Sequence, residues 1–215
     1  MAITAKLFRV LASARHARAF HPRGLLLTGE LTPFDGGELP LPAGTRTVTA
    51  RLSKGVGTPG DVPDALGLAL RLHGEPLWDL TLTSSRPRFL PWPSASWTEA
   101  RFSSLTPYRN DGEAIWLGAR ADRRDNPGGA SLDSVRRLLE DGPLQYILYT
   151  ARGTGAWRTA ARLTLDRVAA DGPAPAFDPM RNHPDGVEMA PRWLAHLRES
   201  AYAGSRTGRG GPGPE

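Results

Sequence analysis

The sequence predicts a mainly β, α+β domain: an antiparallel barrel or sandwich with flanking helices. Three observations point there. Seven segments are apolar with strand-like patterning, Gly and Pro punctuate the gaps between them, and few stretches carry helical spacing.

The elements follow in order. Residues 1–20 read as a helix or turn leading into the domain. Residues 24–31 (GLLLTGEL) form an apolar strand closed by Thr32 and Pro33. Residues 45–53 (TRTVTARLS) alternate polar and apolar side chains, as a half-buried strand does. Further strands are expected over 66–72, 78–83 (WDLTLT), 114–120, 144–152 and 159–168. Residues 131–139 have helix spacing, with Asp133 in the first turn. Residues 193–202 read as a short amphipathic helix after Pro191. Residues 1–207 are thus expected to form one domain, and the Gly/Pro-rich 208–215 a disordered tail.

Composition narrows the function classes. With 215 residues and 40% hydrophobic content, the chain can bury a sizeable core. It has no cysteine, which excludes disulfides, thiol nucleophiles and Cys-based metal centres. No segment resembles a signal peptide or a spanning helix, so a cytoplasmic location is expected. The net charge of +5 comes from arginine, since Lys6 and Lys54 are the only lysines. No run of five or six like charges occurs, so most cations are expected to be solvated, leaving a few arginines for a di-anionic ligand. Neither nucleic acid nor membrane is an expected partner. A homo-oligomer stays open.

One dinucleotide-like motif is present. G-V-G-T-P-G over 55–60 follows a strand, but Pro59 and Pro63 prevent a helix from starting behind it. A glycine turn between strands is the better reading. Trp92 and Trp97 flank Pro93 and offer either a ligand-stacking pair or a local packing cluster. His16, His73, His183 and His196 show no metal-ligand spacing and read as surface residues.

The candidate site joins the two ends of the chain. Near the start, His21 lies between Arg18 and Arg23. Near the end, Arg198 precedes Tyr202 by four residues, followed by Ser205, Arg206 and Arg209. Positions i and i+4 share a helix face, so the guanidinium and the phenol can meet. An acid–base imidazole facing a phenol stabilised as its anion suits a haem iron.

Six motifs in order then resemble the catalase superfamily in its minimal bacterial form. R-x-x-H-x-x-G over 18–24 resembles the distal histidine segment. V-T-A-R-L-S over 48–53 is similar to V-x-V-R-F-S. P-D-A-L-G-L-A-L-R-L over 63–72 is similar to R-D-P-R-G-F-A-V-K-F. W-D-L over 78–80 resembles the tripeptide before the distal Asn. P-Y-R-N-D-G over 107–112 resembles P-x-R-x-G-D, and R-x-x-x-Y-x-x-S over 198–205 the proximal segment.

The resemblance implies a catalase-like antiparallel β-barrel with flanking helices and a haem b (iron) cofactor. It implies His21 as distal acid–base, Ser53 as its orienting partner and Tyr202 as the axial iron ligand. Arg198 would hold the phenolate, while Arg18, Arg51 and Arg209 would meet the propionates. Thr83 stands at the distal Asn position, where a hydroxyl gives fewer donors than an amide. The implied activity is peroxide-dependent oxidation, as a peroxidase or weak catalase, on peroxide or a small organic substrate. The alternatives are rearrangement or oxygenation of an organic hydroperoxide or secondary metabolite, and a non-catalytic barrel that binds haem or another ligand.

Overall fold

A computed structural model describes residues 23–38, 43–122, 128–170 and 175–189. Leucine at alternate positions dictates the architecture. In β1 (Arg23–Pro33), β2 (Arg46–Lys54), β3 (Leu66–Leu72) and β4 (Trp78–Ser84), the members of one buried cluster all stand at alternate positions, interrupted in β1 by Gly29. The register aligns these residues across strands: Leu27 faces Ala50, Ala50 faces Leu70, and Leu70 faces Leu80. A one-residue slip would turn each set outward.

The remaining elements are β5 (Phe102–Ser103), β6 (Tyr108–Asn110), β7 (Glu113–Ala121), α1 (Leu132–Glu140), β8 (Leu144–Arg152), β9 (Arg158–Val168) and β10 (Val187–Met189). Strands β1, β2, β3, β4, β5, β7, β8 and β9 pair antiparallel in that order, and β9 returns to β1. The sheet is a closed barrel of eight strands, not a sandwich. Beyond β5, β6 pairs with the same edge of β7, and β10 adds to β6. The seven expected strands appear with ends within about two residues of those read from the sequence. The three unexpected ones, β5, β6 and β10, are two or three residues long.

Eight strands leave an interior that side chains fill, and here they do. Phe102 and Tyr146 meet edge to face at 6.0 Å inside the wall, and Trp78 meets Tyr108 at 6.2 Å. A ligand must therefore sit on the outer face or at a rim. Closure depends on Gly29: at a bulge between Thr28 and Gly29, a Cβ there would collide with the Thr164 carbonyl and the Leu165 Cα of β9.

Helix α1 starts where the sequence placed it. Ser131 caps it by accepting from the Ser134 N–H at 3.1 Å. The Asp61 carboxylate accepts from the Ser131 N–H (2.9 Å) and the Ser134 hydroxyl (3.0 Å). Buried Trp97 donates from Nε1 to the Ser131 carbonyl at 3.0 Å. The helix thus docks through its first turn. Among the described residues no helix is long and apolar enough to cross a membrane.

Candidate functional site

The outer face of the barrel carries a row of small residues. Strand register places Gly24 opposite Ser53, Ser53 opposite Gly67, Gly67 opposite Thr83, Thr83 opposite Ser103, Ser103 opposite Gly118 and Gly118 opposite Tyr149. Each follows or precedes a core residue, so the row faces away from the interior. Ser53 and Thr83 stand two strands apart, roughly 9–10 Å, with only Gly67 between them. Arg51, Ala69 and Thr81 form the adjacent row. The two hydroxyl positions and one of the arginines read from the sequence therefore share one face.

Arg51 has a defined place. A Cβ on Gly24 would lie 2.5 Å from its guanidinium carbon, so the glycine of the 18–24 motif clears room for that side chain. Ser53 is 3% exposed, whereas Thr83 is half-buried. The Thr81 hydroxyl is buried with no hydrogen-bond partner among the described residues. A buried donor without a partner is costly, which makes it a candidate ligand contact. Arg18, His21, Arg198, Tyr202 and Arg209 lie outside the described residues. The three described tyrosines, Tyr108, Tyr146 and Tyr149, sit in strands; burial pushes the Tyr146 phenol well above its ordinary range. Among the described residues no group of His, Asp and Glu has metal-ligand geometry.

The row of small residues continues into a cavity of about 360 Å3 on the outside of β5, β7 and β8. Gly118 and Ser103 contribute to its lining. Arg86, Arg88, Arg101, Arg120, Tyr149 and Trp157 surround it, and no carboxylate does. Arg88 stacks over Trp157 at 4.9 Å and Trp116 at 5.7 Å and donates to the Gly155 carbonyl at 3.0 Å. A Cβ on Gly118 would meet the Trp157 ring at 3.1 Å, so the glycine lets the indole lie on the strand.

No protein-family model matches the chain, and no curated protein matches it in sequence.

The arginine cavity was not expected from the sequence. Arg86 and Arg88 lie in the turn after β4, Arg101 just before β5 and Arg120 in β7, and the β4–β5 and β5–β7 pairings bring them together. The one local signal is R-P-R over 86–88 beside two aromatics, Phe89 and Trp92.

Other candidates resolve as structure. The 55–60 glycine loop connects β2 to β3, and the carboxylate of buried Asp64 accepts from the N–H groups of Val56 and Thr58 and the Thr58 hydroxyl, each at 2.9 Å. A side chain of the protein already holds the donors that a phosphate would use. Lys54 donates to the carbonyls of Gly60 and Val62 at 2.8 and 3.0 Å. Trp97 belongs to the core and Trp92 is exposed, so they do not form a pair on one ligand face. His73 is exposed and bonds Thr49 at 2.9 Å. In W-D-L, Asp79 is a clasp. It accepts from Arg71 through both oxygens (2.8 and 2.7 Å), from the Asp178 N–H (2.7 Å) and from the Asn182 amide (2.8 Å), fastening 175–189 to the barrel.

Proposed function

We propose that the protein is a haem b-dependent, catalase-like oxidoreductase that uses peroxide as a peroxidase or weak catalase. The observation that carries this reading is the closed eight-strand barrel with Ser53 and Thr83 on either side of Gly67 and Arg51 two residues from Ser53. A flat macrocycle needs a broad face of small residues, hydroxyl donors above its centre and cations at its carboxylate edge. Gly67, Ala69, Thr81, Ser53, Thr83 and Arg51 fit one such wall, and the orphaned Thr81 hydroxyl leaves a donor for a ligand.

Bound haem would supply a ferric Lewis acid that polarises peroxide. The chain's residues do the rest. The His21 imidazole would accept and return the peroxide proton, since its ordinary pKa suits work near neutrality. The Ser53 hydroxyl orients it, and Thr83 offers one further donor. Tyr202 would hold the iron as its phenolate, and Arg198, which stays charged at every working pH, would favour that anion. Arg18, Arg51 and Arg209 would pair with the propionates as planar forks.

Reconstitution with hemin tests this. Wild type is expected to give a ferric tyrosinate absorption spectrum that Tyr202→Phe abolishes. His21→Ala is expected to keep the pigment and lose peroxide turnover. An unchanged spectrum in Tyr202→Phe refutes the ligand assignment. A second reading, rearrangement or oxygenation of an organic hydroperoxide or metabolite, is favoured by Thr83, whose single hydroxyl gives weaker dismutation geometry than an amide. Product analysis with a fatty-acid hydroperoxide separates the two.

A further inference from the structure

We propose that the cavity on the outside of β5, β7 and β8 is a binding site for a small organic anion: a planar ring carrying a carboxylate or phosphate head. Four arginines, Arg86, Arg88, Arg101 and Arg120, line one concavity that no acid lines. Six other described arginines, Arg71, Arg136, Arg152, Arg158, Arg162 and Arg167, pair with carboxylates. Among the described residues Arg86, Arg101 and Arg120 form no ion pair, and their side chains make no hydrogen bond. Converging like charges without counter-charge raise a positive potential that an anion relieves. Guanidinium forks match the two oxygens of a carboxylate or phosphate.

The ring half of the ligand follows from the aromatics. Trp157 lies against Gly118, held in place by the stacked Arg88, and Tyr149 stands on the neighbouring strand at the Gly118 register. Such preformed faces take a flat apolar ring. The volume of about 360 Å3 suits one small molecule. A nucleic-acid strand would need a continuing track of cations and stacked aromatics, whereas these residues converge on a single concavity. The inference is independent of haem, since Trp157, Arg101 and Arg120 belong to neither the Ser53–Thr83 pair nor the terminal segments.

Equilibrium dialysis of the full chain, without hemin, tests it. The probes are 2-naphthoate, 1-naphthyl phosphate, neutral 1-naphthol and a thymidine oligonucleotide. At least one naphthyl anion is expected to bind about tenfold or more tightly than naphthol, and added salt should weaken it. The preferred anion identifies the head group. Arg101→Gln combined with Arg120→Gln is expected to weaken binding about tenfold or more, because two charge-assisted contacts are lost. Arg167→Gln, on a surface ion pair, is expected to change nothing. Equal binding of naphthol, unchanged binding in the double variant, or preference for the oligonucleotide over both naphthyl anions overturns the proposal.

Discussion

At the residue scale, the outer row separates chemistry from support. Thr83 stands beside Gly67 and Ser103 with one hydroxyl where the resemblance expects an amide. Under the haem reading, Thr83→Asn is expected to raise peroxide turnover of hemin-loaded protein by about tenfold, because an added donor stabilises developing charge on the departing oxygen. Steady-state oxygen evolution measures it, and no gain would remove Thr83 from the distal wall. Asp79 is the opposite case. Its carboxylate is fully buried and accepts four hydrogen bonds, two of them from Arg71. That carboxylate in turn raises the Arg71 pKa through its hydrogen bonds. Asp79→Ala is expected to cost about 3 kcal/mol in urea unfolding, since it strands a guanidinium, a backbone N–H and an amide together. A loss below about 1 kcal/mol would mean that water satisfies these donors.

At the element scale, helix α1 shows how a single acid fixes an orientation. Asp61 receives the Ser131 N–H and the Ser134 hydroxyl at the positive end of the helix. Hydrogen bonds from Ser131, then from Ser134, hold its carboxyl below the usual 3.8, while desolvation opposes them weakly. A folded pKa below the unfolded one contributes stability above the unfolded value and loses it as pH falls through the folded value. Asp61→Asn is therefore expected to destabilise at neutral pH, and the gap to wild type should close below about pH 3.8. Urea midpoints of the two proteins across that range check this; a constant gap would make the Asp61 contact neutral in charge. The start of α1 was legible because Ser131 and Asp133 announce a cap and a first turn. Strands β5, β6 and β10 were not, because two or three residues carry no periodicity. Pairing makes them strands, helped for β6 by the hairpin turn at Asp111 and Gly112, which both take positive φ.

At the scale of the whole molecule, the barrel was half legible. Alternation in β1 to β4 announces a sheet with one buried face, but both a sandwich and a barrel satisfy that pattern. The choice lies in pairings of high sequence separation, β9 with β1 and β7 with β8, to which single-strand periodicity is blind. The candidate site divides the same way. That Arg51, Ser53 and Thr83 share the outer face follows from strand parity, which the alternation announces, whereas the arginine cavity exists only after β5 reaches β7. Closure itself can be tested at Gly29, where the β1 backbone approaches β9 too closely for any side chain. Gly29→Ala is expected to push the first strand from the ninth and abolish cooperative unfolding. Gly36→Ala supplies the contrast. Gly36 has positive φ but open space around its Cα, so only the conformational penalty of about 1–2 kcal/mol applies. Circular dichroism during thermal unfolding separates the cases, and equal small losses for both variants would show that the seam relaxes to admit a methyl group. A seam that cannot relax fixes where Gly24 and Ser53 face each other, because the same strand carries Gly24 and Gly29. Loss of closure should then also free the Arg51 guanidinium from its place over Gly24.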